Sequence, residues 1–205
     1  MKQETGNSIS VCDNKVSIQL LLGGHSFSPE RITEQHTDSR IECAECTVLT
    51  PRTVLVPREC FDVSAAEQYL RVAGLPCLST ETAVTSDLSA QIVAVMAVDT
   101  ECLDVLRERF GERLAFTSPL CGSQNYSEPT VWIFRSGDLI YIKVYKPVLR
   151  MAEAVEISSE ADVLQLLHDL ESVFEVRSCT IICCGDECER MRRQLAKYYP
   201  DVRCE

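Results

Sequence analysis

The sequence predicts an α/β protein with mixed sheets, in which one β-β-β-α-β-α unit occurs twice. Three observations carry this reading. The same order of extended runs and amphipathic helices recurs on either side of residues 121–129, "CGSQNYSEP", a polar stretch ending in proline. Two short apolar runs, "QIVAVMAV" and "TIICC", each sit between helical segments, as strands buried in an α/β sheet do. The chain has 205 residues, 45% hydrophobic and 25% charged, enough for one large core or two small ones.

In the first half, "KVSIQLLL" (15–22) is β-prone and stops at Gly23-Gly24, a hairpin turn signal. "HSFSPERI" returns as an imperfect second strand, which Pro29 limits to an edge or an end. "RIECAECTVL" (40–49) alternates as a third, and "TVLVP" adds a short extended piece. Ser64 and Glu67 have capping-box spacing for a helix that Gly74 and Pro76 stop. After a polar stretch, "QIVAVMAV" reads as a strand buried on both faces. Asp99 caps a helix with Leu103, Leu106 and Phe110 on one side, closed by Gly111, and "RLAFTS" supplies a last strand.

Beyond 121–129 the order repeats. "TVWIF", the turn 135–138 and "LIYIKVY" form a hairpin, and "AEAVEI" a third strand. Ser159 and Asp162 open a helix whose Val163, Leu166, Leu167, Leu170 and Phe174 keep helical spacing. "TIICC" is the next strand, and Asp186 starts a final helix that ends before Pro200. Three antiparallel strands feeding two crossovers predict a mixed sheet with helices on its faces. The expected division is a first lobe over 1–122 (1–14 a polar tail), a linker over 123–129 and a second lobe over 130–205. The second lobe reads as shortened, since the chain ends soon after the last helix and leaves a sheet edge uncovered.

The net charge of −11 argues against nucleic acid, whose phosphates are met by Lys and Arg. Asp and Glu outnumber Lys and Arg by 17 to 10 in residues 1–125 and by 14 to 10 in 126–205, so there is no separate acidic tail or basic domain. The start, "MKQETGNSISVCDNK", lacks the apolar stretch of a signal peptide, and the longest apolar run, residues 92–98, is too short to span a membrane. These features predict a cytoplasmic protein. The twelve cysteines are then expected as reduced thiols that pack like small hydrophobes.

At "KVSIQLLLGGHSFSP", "LVPRECFD", "LIYIKVYKPVLRMAEAVEI" and "IICCGDE" the chain resembles an uncharacterised bacterial family, a domain of unknown function assigned the actin-like ATPase fold. The resemblance spans roughly residues 15–200. It implies two ribonuclease-H-like lobes facing each other across a nucleotide cleft, with a phosphate-binding turn in each first hairpin. In active members the first such turn is Asp-x-Gly, whose amides touch phosphate and whose acid organises Mg²⁺; positioning and charge compensation make up most of such catalysis. Here the turn reads Leu21-Leu22-Gly23-Gly24, with leucine in place of the acid. Glycine at a tight turn has its own conformational cause, so a plain hairpin is the preferred reading.

The second-lobe turn carries Gly137-Asp138, in reversed order, and an aspartate in a β-turn is commonplace. In the superfamily a strand ending in Gly-Gly and leading into a helix holds the adenosine. "TIICCGDECERMRRQL" has that layout with Cys184 for the first glycine and Gly185 for the second. Asp186, Glu187 and Glu189 would repel phosphate there, and they suit a helix N-terminus as Arg190, Arg192, Arg193 and Lys197 suit its later turns.

No catalytic set and no metal set is predicted. Cys183 and Cys184 are consecutive on a strand and point to opposite faces. Cys188 lies in line with Met191, Leu195 and Tyr198 toward the core, and the thiols of Cys43 and Cys46 diverge. Zinc wants four converging ligands. His25, His36 and His168 join no evident dyad, and Trp132, Phe134 and Tyr141 read as hairpin packing. The expected function is therefore a degenerate actin-like fold that works through a protein partner or self-association and needs no cofactor. The alternative is a Mg-ATP binder or weak ATPase using Gly23, Gly24, Gly137, Asp138 and Gly185; a redox or metal-responsive protein built on Cys183, Cys184 and Cys188 is a weaker third.

Overall fold

Successive side chains of a strand point to opposite faces, and in the second half of the chain both faces are buried. A computed structural model describes residues 15–21, 43–122, 124 and 126–205. Strands β7 (Thr130–Ser136), β8 (Leu139–Lys146) and β9 (Val148–Glu156) form an antiparallel meander. Helix α3 (Glu160–Phe174) crosses to β10 (Thr180–Gly185), which pairs parallel with β7. Helix α4 (Cys188–Leu195) leads to β11 (Val202–Cys204), parallel to β10. The strand order is β11-β10-β7-β8-β9. This is the predicted β-β-β-α-β-α order with one strand more. The edge expected to lie uncovered after the last helix is taken by β11.

Both crossovers run in the same direction along this sheet, and right-handed crossovers then put both helices on one face. Val131, Ile133, Ile140, Ile142 and Val144 pack on that side with Val163 and Leu167 of α3 and Met191 and Leu195 of α4. The other face presents Trp132, Leu139, Tyr141, Tyr145 and Ile182. Leu49 and Leu120 from the first half cover it.

The first half contains β1 (Lys15–Leu21), β2 (Cys43–Leu49), β3 (Thr53–Pro57), helix α1 (Ala66–Val72), β4 (Glu81–Thr85), β5 (Ile92–Asp99), helix α2 (Thr100–Phe110) and β6 (Leu114–Thr117). Its described strands form two three-stranded groups. One is the parallel set β1-β2-β6; the other is the antiparallel set β3-β5-β4. A parallel bridge from Ser86 to Phe116 joins them.

The expected run of three antiparallel strands is corrected here, because β1 and β2 pair directly and in parallel. Parallel neighbours need a long crossover connection rather than a tight turn. The second strand of the expected hairpin, with Gly23 and Gly24, lies outside the described residues.

Strand β5 is buried on both faces, as its apolar run predicted. Val93, Val95 and Ala97 meet Leu70 of α1, and Ala94, Met96 and Val98 meet Leu103, Leu106 and Phe110 of α2. Asp99 caps α2 by accepting from the Glu101 and Cys102 amides at 3.0 and 3.2 Å. The capping box of Ser159 and Asp162 forms at α3. The proposed box at Ser64 and Glu67 does not. Asp62 accepts from Ser64 N at 2.9 Å, and α1 begins at Ala66 after a short 3-10 turn. Among the described residues no helix is long and apolar enough to cross a membrane.

Candidate functional site

Two turns of the second sheet meet at one end of β7 and β10. Gly137 sits between β7 and β8 with φ +56°, the left-handed region that favours glycine. Its N–H donates to Asp186 Oδ2 at 2.9 Å, and the Asp186 N–H donates to the Arg135 carbonyl at 2.9 Å. A carboxylate 49 residues away thus takes the main-chain donor of the hairpin turn. The Asp138 carbonyl accepts from Ile157 N at 2.8 Å, while its side chain is exposed.

Gly185 (φ +81°) ends β10 flush against this turn. A Cβ on it would collide with the Arg135 carbonyl oxygen and crowd the Phe134 ring. Glycine is required there by strand packing alone. The expected helix start at Asp186 is corrected: α4 begins at Cys188, with Glu187 as its N-cap at φ 52°. Glu187 binds Arg135 Nη1 at 3.2 Å and Arg190 Nη1 at 3.1 Å, and Arg190 Nε also reaches Glu160 at 2.6 Å. These part-exposed pairs leave the turn rimmed by acids with their cations already engaged.

Of the five residues of the nucleotide reading, the structure brings Gly137, Asp138 and Gly185 to one end of the sheet. Gly23 and Gly24 lie outside the described residues. A groove of about 430 Å³ lies elsewhere, between β3 and β9, lined by Val54, Leu55, Leu149, Met151 and Ala154 with Arg150 and Glu153 at its wall. Among the described strands, each of those two pairs on one side only.

Among the described residues no three His, Cys, Asp or Glu side chains are placed to hold a metal. Cys183 packs among the helix-side apolar residues and Cys184 on the opposite face, as strand alternation predicted. Burial pushes the Cys183 thiol up to about 12; burial, and then neighbouring Cys102, does the same to Cys46. The expectation of reduced thiols fails at Cys188. It is joined in a disulfide to Cys204, with Cα atoms 6.1 Å apart, because β11 brings Cys204 beside the start of α4. His168 is exposed beside Gln165, Arg177 and Tyr198 on a surface groove of about 300 Å³.

Sequence reading missed Lys143. In "LIYIKVY" it looks like a solvated strand position, yet it is 2% exposed on the face packed against the first half. Its Nζ lies 4.2 Å from the Trp132 ring centroid and 3.4 Å from the Cys121 carbonyl oxygen. Burial holds its pKa down to about 8. The Trp132 indole N–H is buried without an oxygen or nitrogen acceptor, beside the Cys184 thiol.

No protein-family model matches the chain, and no curated protein matches it. Solved structures do. A Bacteroides thetaiotaomicron protein with actin-like ATPase fold and unknown function superimposes with a TM-score of 0.72 at 15% identity, over 93% of this chain and 90% of that one. The fold is that of the actin-like ATPases. The cytoplasmic domain of EpsL, an inner-membrane component of the type II secretion system of Vibrio cholerae, aligns at 12% identity over 93% of this chain and 85% of its own, TM-score 0.46. The PilM–PilN type IV pilus biogenesis complex aligns at 11% identity over 86% and 74%, TM-score 0.49.

Proposed function

We propose that this chain is a non-catalytic interaction module, built from two ribonuclease-H-like lobes in the actin-like arrangement, whose nucleotide cleft is degenerate. The observation that carries the reading is the bond from Gly137 N to Asp186 Oδ2. In an actin-like cleft that amide belongs to a turn that would face phosphate. A fixed carboxylate already satisfies it, and Glu187 and Glu189 add negative charge beside it. An incoming triphosphate would have to displace that carboxylate, and the nearest described cations, Arg135, Arg190 and Arg192, are already paired with Glu187 and Glu189. The sequence Leu21-Leu22 where the resemblance places the superfamily's metal-organising acid points the same way.

A protein partner is supported by strands β3 and β9, each of which pairs on one side only among the described strands. The rival is a Mg-ATP binder. One observation favours it, since Gly137 and Gly185 do converge at one end of the sheet.

Thermal unfolding with and without Mg·ATP separates the two, because a ligand specific to the native state raises the midpoint. The interaction reading predicts an unmoved midpoint at millimolar Mg·ATP. A saturable rise would establish the rival.

A further inference from the structure

We propose that the Cys188–Cys204 pair is a reversible redox site, a thiol staple that fixes β11 to the sheet and is opened by a dithiol reductant. Strand β11 has three residues and is the outermost strand on its side of the sheet. Its register to β10 consists of Ile181 with Val202, Ile182 with Arg203 and Cys183 with Cys204. Two hydrogen bonds mark its ends: Ile181 N to the Asp201 carbonyl at 2.9 Å and Glu205 N to the Cys183 carbonyl at 3.0 Å. The Thr180 hydroxyl also donates to Asp201 Oδ2 at 2.8 Å. So short an edge strand belongs to the weakly held end of a fold's local stabilities.

The disulfide changes this balance. It links the first residue of α4 to the last of β11 and closes the whole α4–β11 excursion into a loop, which restricts the detached state. Both cysteines are half-buried, so a reductant can reach them. Neighbouring thiols are poor competitors: Cys183 faces the core beneath α4, and Cys184 points to the other side of the sheet.

Reduction proceeds by thiol–disulfide exchange. A thiolate of the dithiol attacks one sulfur of the pair and forms a mixed disulfide, and the other cysteine leaves as thiolate. The second thiol of the reductant then closes its own disulfide and releases the first cysteine. Two electrons pass to the protein, and two protons finish on Cys188 and Cys204. With the staple open, β11 detaches and the outer main chain of β10 is left unpaired.

The test uses the full chain equilibrated with glutathione disulfide or with dithiothreitol, read by peptide mapping after alkylation and by hydrogen exchange at the Ile181 and Glu205 amides. The oxidised protein should yield a linked Cys188–Cys204 peptide. Reduction should speed exchange at both amides by roughly tenfold or more, the signature of local opening. Cys204→Ser and Cys188→Ser should exchange rapidly in either buffer. Alkylation of both cysteines in the oxidised protein would overturn the proposal, and so would slow exchange at Ile181 and Glu205 that reduction leaves unchanged.

Discussion

Asp186 shows how one residue can hold two turns together. Its carboxylate meets the Gly137 amide and its own N–H meets the Arg135 carbonyl. Asp186→Ala should cost roughly 1 kcal/mol, as for loss of one hydrogen bond to a charged acceptor at the surface, and Asp186→Asn, which keeps an oxygen, less; urea unfolding measures both. Gly185→Ala should be the more damaging change. It combines a positive φ with a collision against fixed main chain, and a cost of about 3 kcal/mol or more is expected.

Lys143 makes a pH prediction. Its folded pKa, about 8, lies below the unfolded 10.5. The unfolded chain therefore binds the proton more tightly, and stability should rise as pH increases from about 8 toward 10.5. Lys143→Met keeps the stem's packing and removes the buried charge. It should flatten this rise and raise stability near pH 7 by up to about 3 kcal/mol. A pH series of melting curves for both proteins decides it; a variant with the wild-type slope would refute the assignment.

At the scale of elements, what could be read from sequence was what is set locally. Asp99, and Ser159 with Asp162, mark the starts of α2 and α3 because a cap needs only residues two or three positions apart. The hairpin β7–β8 was legible from Gly137 and two apolar runs. Strand β4, "ETAVT", was missed because its polar sequence becomes a strand only by pairing with β5. Strand β11 was missed because three residues carry no period. The candidate site was half legible: the glycines were visible, but the Gly137–Asp186 contact and the burial of Lys143 depend on tertiary placement. The two kinds of cap can be told apart by mutation. Asp99→Ala should cost about 1 kcal/mol. Ser64→Ala should fall within about 0.5 kcal/mol of wild type, since Asp62 supplies the acceptor there. Equal losses would contradict this.

Across the whole molecule, the two halves are joined by the face of the second sheet that carries none of its own helices. Leu49 and Leu120 fill it beside Trp132 and Tyr141, and the Tyr141 hydroxyl donates to the Thr50 carbonyl at 3.3 Å. The two halves are held together by this apolar contact, with the buried Lys143 inside it, while the Gly137 turn is held by the Asp186 carboxylate. On the reading proposed above, the Gly137 amide belongs to Asp186 and is closed to phosphate. The Gly137 amide resonance in a two-dimensional NMR spectrum, followed through a Mg·ATP titration, tests this most directly. In the wild type the resonance should stay in place up to millimolar nucleotide; a saturable shift would mean that phosphate reaches this amide.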